Sequence, residues 1–246
     1  MDDPSFSVVR MSTRENIKNL SRKVVKKLYK AWDGTRIGEQ ELEGRMLTDV
    51  PGALWTSALI DTNRLTQAEA DKITGGQYRM IVIGWDPAVT SGEKSDEHGI
   101  VVVALGYDGH LYVLEDVSGR YTPDGAVRVV GAAYDRWQAN SIVVEINNGG
   151  DWIPDFVRRS LGSSYHVRKV PAKRGKARRA EPIVAYTQQG KVRWVGPATR
   201  FATLVEQLTT WTESSTKSPD RLDGFVWACT ELLKHSGGGG FSLEVL

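Results

Sequence analysis

Residues 80–146 constrain the fold more than any other part of this chain. Residues 80–86, 99–106 and 111–117 are three consecutive runs rich in Val, Ile and Leu, each of strand length. Tyr107-Asp108-Gly109-His110 separates the second from the third and is a hairpin signal, so the runs predict an antiparallel meander. Residues 123–138 follow helical spacing, with Pro123 in the first turn. Residues 141–146 are apolar on both faces around a single Glu, the pattern of a central, doubly covered strand. Helical stretches near 151–161, 178–189, 198–212 and 219–235 alternate with strands at 165–170 and 192–195. The expected class is α/β: a mixed sheet in which right-handed crossovers add parallel strands to the meander, with helices on its flanks.

The N-terminal part reads differently. FSVV within residues 1–11 has strand character, and Ser12-Thr13-Arg14-Glu15 has the form of a capping box. Ile17, Leu20, Val24 and Leu28, continued by Trp32, make an apolar stripe at helical spacing. Lys18, Arg22, Lys23, Lys26, Lys27 and Lys30 take the rest of that surface. Asp33-Gly34 stops this helix, and a second short one is expected over 36–46. Pro51 and Gly75-Gly76 break the mixed stretch from 49 to 77. The expected organisation is a helical connector over 1–77, an α/β domain over 78–236 and a flexible Gly-rich tail over 237–246.

Composition excludes several classes. The net charge of +2 over 246 residues rules out a uniformly basic binder, so affinity for a polyanion has to come from local clusters. Cys229 is the sole cysteine and the four histidines are scattered, which removes disulfides, CxxC chemistry and HExxH-type zinc sites. No stretch has the apolar length of a membrane span or the core of a secretory signal, so no membrane partner is expected and a reducing cytosol is the default.

The chemistry-bearing residues are acids at the ends of these elements. Asp86 ends MIVIGWD, Glu145 sits in IVVEI, and Asp223 lies in DRLDGFVWACTELL. A carboxylate at the end of an apolar strand loses water and needs a cation or hydrogen bonds in return. Asp86, before Pro87, also fits a turn starter, with Gly84 on the same strand face clearing room beside it. Glu145 fits a buried salt bridge as well as a site, although Asn147-Asn148-Gly149-Gly150 opens a polar rim directly after it. Ser218 is a candidate N-cap and Pro219 a first helical residue. Asp220 is then explained equally by the helix dipole or by a place at the site, behind the ligands or as a ligand of a second metal. Asp96 and Glu97, in the loop 90–98, fit a solvated pair or a place at the site. Oxygen ligands of this kind suit Mg²⁺ or Mn²⁺.

GWDPA, SDEHGIVVV, VVEINNGGD and PDRLDGFVWA occur in that order. Their order and surroundings resemble the C-terminal nuclease domain of tailed-bacteriophage terminase large subunits, a ribonuclease H-like fold. The upstream DGTRIGEQELEGRMLTDVPGALWT resembles the segment joining the ATPase motor to that nuclease, and the resemblance extends over about residues 8–233. It implies that Asp86, Glu145 and Asp223 form a metal-binding catalytic triad, with Asp220 and Asp96 as acidic helpers nearby. It further implies Mg²⁺ or Mn²⁺ as cofactor and double-stranded DNA as substrate. The implied partners are the terminase ATPase domain, the small terminase subunit and the portal, in the host cytoplasm. One departure matters: no GxxxxGK[ST] phosphate loop is present, since Arg174-Gly175-Lys176-Ala177 lacks the hydroxyl and the first glycine. The expectation is a fragment without the motor, with FSVV a remnant of the motor's edge.

In the chemistry this implies, two divalent ions activate water and neutralise the leaving oxygen. Asp86 bridges them and Glu145 and Asp223 complete the shell, giving a 5′-phosphate and a 3′-hydroxyl with little sequence specificity. Lys169, Lys173, Arg174, Lys176, Arg178 and Arg179, a stretch free of acids, are expected to grip DNA phosphates or else to form a solvated face. Trp32, Trp55, Trp85 and Trp152 are read as packing residues. Two other readings remain open: a Holliday-junction resolvase or transposase-like nuclease, and a non-catalytic DNA-binding assembly module.

Overall fold

The computed structural model describes residues 13, 16–32, 42, 49–88, 97–145, 153–171, 175–215 and 219–236, with the side chains of 17, 28 and 30–32 left aside. The FSVV run, all of the capping box at 12–15 but Thr13, all of the helix expected over 36–46 but Leu42, and the C-terminal tail fall outside these residues. Among the described residues no helix is long and apolar enough to cross a membrane.

Two compact units divide at Asp49/Val50. In the first, a 3₁₀ turn over Ile17–Asn19 precedes α1, Arg22–Trp32. The apolar stripe expected through Leu20 and Val24 is out of phase: both are exposed, and Val25 is buried instead. The break at Leu20-Ser21 interrupts the helical period, and α1 starts afresh with Val25 N–H donating to Ser21 C=O at 3.0 Å. Arg22, Lys23, Lys26 and Lys27 are exposed.

The second unit begins at Val50, not at residue 78. Residues 50–77 carry α2 (Ser57–Thr62), β1 (Arg64–Leu65) and α3 (Gln67–Thr74), and β1 pairs in parallel with β7 (Val192–Val195), so this stretch belongs to the sheet domain. Thr66 and Glu69 form a capping box on α3. The remaining elements are β2 (Met80–Asp86), β3 (Gly99–Leu105), β4 (Leu111–Asp116), α4 (Pro123–Trp137), β5 (Ser141–Glu145), α5 (Ile153–Leu161), β6 (Val167–Val170), α6 (Lys176–Gln188), α7 (Ala202–Thr210) and α8 (Asp220–Leu233). A 3₁₀ turn over Ala198–Phe201 leads into α7.

The seven strands are ordered β1-β7-β4-β3-β2-β5-β6. β2, β3 and β4 form the expected antiparallel meander, and β5, β6, β7 and β1 add in parallel at its two edges. Gly109, at φ +77°, supplies the left-handed residue of the β3–β4 turn. Strand alternation splits the core into two layers. Val82, Val101, Val103, Val113 and Val143 face α6, α7 and α8 through Ile183, Leu204, Phe225 and Val226. Ile83, Val102, Leu114, Ile142 and Val144 face α4 and α5 through Val127, Val130, Ile153 and Val157. Each such side chain contributes about 1.5–3 kcal/mol when fully buried.

Two details fix the register that the site depends on. Asn140 bonds Ile81 twice: its Oδ1 accepts from Ile81 N–H at 2.7 Å and its own N–H donates to Ile81 C=O at 2.8 Å. β5 is thereby set against β2 with Trp85 opposite Val144, so both strands end in an acid at the same level. The other detail is the seat of α8. A Cβ on Gly84 would lie 1.9 Å from Gly224 O, one on Gly99 1.8 Å from Asp220 O, and one on Gly224 2.7 Å from Gly99 O. Helix backbone rests directly on strand backbone there, and only glycine permits that approach.

Candidate active site

Asp86 is the last residue of β2 and Glu145 the last of the parallel neighbour β5; the alternation of both strands turns these acids to the α8 side of the sheet. Asp223 lies in the first turn of α8, buried at 3% exposure. The glycine seat brings that turn down onto the carboxyl end of β2. Gly84 thus makes room for the backbone of α8, not for the carboxylate as the strand pattern suggested.

The electrostatics follow from this crowding. Burial, reinforced by the charges of Asp223, Glu145 and Asp220 and opposed by that of Lys176, holds the Asp86 carboxyl well above the usual carboxylate range. No described residue gives the Asp86 carboxylate a hydrogen bond or an ion pair. Its neighbours are engaged. Asp223 pairs with Lys176 Nζ and accepts from Arg179 Nη2 at 3.2 Å. Glu145 Oε2 accepts from Trp227 Nε1–H at 2.8 Å. Among the described residues no three His, Cys, Asp or Glu side chains are gathered closely enough around one point to hold a metal ion without some adjustment.

Asp220 opens α8 and accepts Glu97 N–H on Oδ2 at 3.0 Å. The N-cap is Pro219, without a side-chain cap bond, and Ser218 lies outside the described residues. Asp96 lies outside them too. Glu97 is no solvated residue: Arg221 binds it through Nε at 2.9 Å and Nη2 at 3.3 Å and reaches Asp116 through Nη1 at 2.9 Å. These two acids raise the Arg221 pKa against the opposing effect of its burial.

The basic stretch is divided. Lys169 on β6 and Arg178 on α6 are exposed, Lys173 and Arg174 lie outside the described residues, and Lys176 and Arg179 turn inward to Asp223. A continuous outward-facing phosphate grip is therefore not what α6 presents. Its helical period puts Arg178 outward and Arg179 on the buried face.

Sequence reasoning missed Trp227, Arg221 and His98. Trp227 read as one more apolar residue of α8, yet its spacing of four from Asp223 was the available signal. His98 is buried, and its Nδ1 accepts from Trp85 Nε1–H at 3.4 Å and Ala88 N–H at 3.2 Å. Burial lowers its pKa, and it pins the turn that follows Asp86. Trp55 and Trp85 are packing residues as expected, each almost fully buried; the side chains of Trp32 and Trp152 are not described.

Comparison with known proteins bears on this arrangement. Residues 83–232 match the model of the family described as terminase RNaseH-like domain. No curated protein sequence matches the chain. Among solved structures, the human cytomegalovirus terminase nuclease domain, Mn soaked and inhibitor bound, superposes with a TM-score of 0.53 at 16% identity, over 73% of this chain and 95% of that one. The nuclease domain of the large terminase subunit gp2 of bacterial virus Sf6 gives 0.50 at 10% identity, over 74% and 98%. At such identities the likeness is one of fold, and it matches the mixed seven-stranded sheet. The family match spans the strands and the helix that carry Asp86, Glu145 and Asp223, and the chain belongs to the terminase RNaseH-like domain family.

Proposed function

We propose that the chain is a divalent-cation-dependent endonuclease that cuts double-stranded DNA with little sequence specificity during viral genome packaging. The observation that carries this reading is Asp86, a half-buried acid whose carboxylate lacks a hydrogen-bonding partner among the described residues and sits amid the charges of Asp223, Glu145 and Asp220. Such a site gains by holding a cation. The donor set is made of carboxylate oxygens with no thiol or imidazole among them, which suits Mg²⁺ or Mn²⁺. Asp86, Glu145 and Asp223 would hold the ions, two by expectation, with Asp220 alongside; Asp96 keeps its expected helper role from sequence alone. Bound there, the ions supply an activated water and charge neutralisation for phosphodiester hydrolysis.

The protein's own residues do the rest. The glycine seat aligns Asp223 with Asp86, and the β2–β5 register aligns Glu145. Lys176 and Arg179 balance the charge of Asp223. Exposed Lys169 and Arg178 contact the DNA backbone without reading bases. By family resemblance the partners are the terminase ATPase domain, the small terminase subunit and the portal, in the host cytoplasm. Plasmid digestion in Mg²⁺ or Mn²⁺, by the wild type and by Asp86→Ala, Glu145→Ala and Asp223→Ala, tests the assignment. Loss of cutting in all three supports it, and undiminished cutting by Asp86→Ala defeats it.

A further inference from the structure

Asp223, Trp227 and Glu231 follow one another at i, i+4 and i+8 along α8 and share one of its faces. Each meets a polar partner on another element: Asp223 meets Lys176 and Arg179 on α6, Trp227 meets Glu145 on β5, and Glu231 meets Arg168 on β6. The Arg179 guanidinium also lies over the Trp227 ring, 4.3 Å from its centroid. Asp223, Arg179, Trp227 and Glu145 therefore form one unbroken line of contacts between two acids that belong to different elements.

The components of this line are suited to hold a fixed geometry. Arg179 is buried, and among the described residues its hydrogen bond is the one from Nη2 to Asp223, while its Nε lies buried without an acceptor. A saturated hydrogen-bond set is thus not what keeps the guanidinium in place, and the indole face beneath it takes that part. The indole N–H is a donor only, so Trp227 cannot itself ligate a cation, and a planar ring with two torsions has little freedom to wander. Glu145 gives Oε2 to this bond and keeps Oε1 without a partner among the described residues.

We propose that Trp227 and Arg179 are positioning residues that brace the two acids. The indole N–H sets which way Glu145 turns its carboxylate, and the guanidinium stacked on the same ring ties it to Asp223, so both acids meet a divalent cation at one separation. The proposal rests on the reading of Glu145 and Asp223 as cation ligands. It deepens that reading by naming what orients them, a role in which outer partners of ligands commonly govern affinity.

Trp227→Phe keeps a ring beneath Arg179 and removes the N–H. Mn²⁺ binding to the full chain, read from the electron paramagnetic resonance signal of free Mn²⁺, should weaken by about tenfold or more. The melting temperature and DNA affinity in EDTA should stay near wild type. In a double-mutant cycle, Trp227→Phe should cost nothing further once Glu145 is Ala, because its effect passes through that side chain. Arg179→Lys, which keeps the charge but loses the planar face, should weaken Mn²⁺ in the same direction and keeps the proposal testable if the phenylalanine variant does not fold. Wild-type Mn²⁺ affinity in a folded Trp227→Phe, or additive effects in the cycle, would overturn the brace. If Glu145→Ala and Asp223→Ala also bind Mn²⁺ like wild type, the cation site itself is wrong, and that outcome is distinct.

Discussion

Replacing Gly84 by Ala tests whether the site depends on backbone contact between α8 and the sheet. The added Cβ would stand 1.9 Å from Gly224 O, 2.7 Å from Ala228 N and 3.0 Å from Ala228 Cβ. Ordinary contact begins near 3.4 Å. The helix would have to retreat by about 1.5 Å to restore normal van der Waals spacing. Overpacking typically costs about 1–3 kcal/mol, and with backbone atoms on the far side no rotamer can yield, so about 3 kcal/mol is expected. For a unit of this size that corresponds to a fall in Tm of roughly 6–12 °C. The retreat also pulls Asp223 from Asp86, and a displacement near 1 Å can lower activity by about 100-fold. Gly131→Ala is the control, because its Cβ would meet only the mobile end of Leu161, at 2.7 Å, and the helix gains up to about 1 kcal/mol of propensity. Thermal melts in EDTA and plasmid digestion measure both variants. A Gly84→Ala protein that melts and cuts like Gly131→Ala would refute the reasoning.

Other expectations follow from the same geometry. Asp86→Asn should raise the Tm of the metal-free protein at pH 8, by about 0.5–2 kcal/mol of added stability. Its folded carboxyl pKa lies above the unfolded value, so the wild type holds a proton that the unfolded chain releases, and stability falls as pH rises between the two. The variant should lack that slope in EDTA melts from pH 4 to 8, and a lower Tm at pH 8 would contradict this. Arg221→Met strands Asp116, whose side chain is 1% exposed, and Glu97, and should cost about 3–5 kcal/mol in urea unfolding; a loss below about 1 kcal/mol would show the network to be marginal. Lys169→Ala with Arg178→Ala should reduce the salt slope of DNA binding by roughly 1.8, about 0.9 per phosphate contact, with little change in Tm. An unchanged slope would remove both residues from the interface.

The parts of the fold that were legible in sequence are those where one physical demand dominates. β2 to β5 declared themselves because buried strands need unbroken Val and Ile runs. β1 could not, since two residues carry no period, and it is a strand only because β7 offers it an edge. Asp223 was legible because Leu222, Phe225 and Val226 surround it with apolar residues that leave a carboxylate no solvated role. Arg179 was not, because a basic stretch reads as surface, and its burial depends on a tryptophan 48 positions away. Gly84 was noticed for the right strand face and the wrong neighbour: alternation gives direction, whereas the identity of the packed element comes only from tertiary structure.

The paired bonds between Asn140 and Ile81 have a consequence for how reliably this protein assembles. If β5 slid by a single position along β2, every side chain on it would exchange faces, and Glu145 would end up among Val127 and Ile153 beneath α4 and α5. That misfolded species would retain its helices, its strands and most of its apolar burial, yet could not assemble the acid cluster. One asparagine, placed just before β5 begins, makes such slippage forfeit two hydrogen bonds at once.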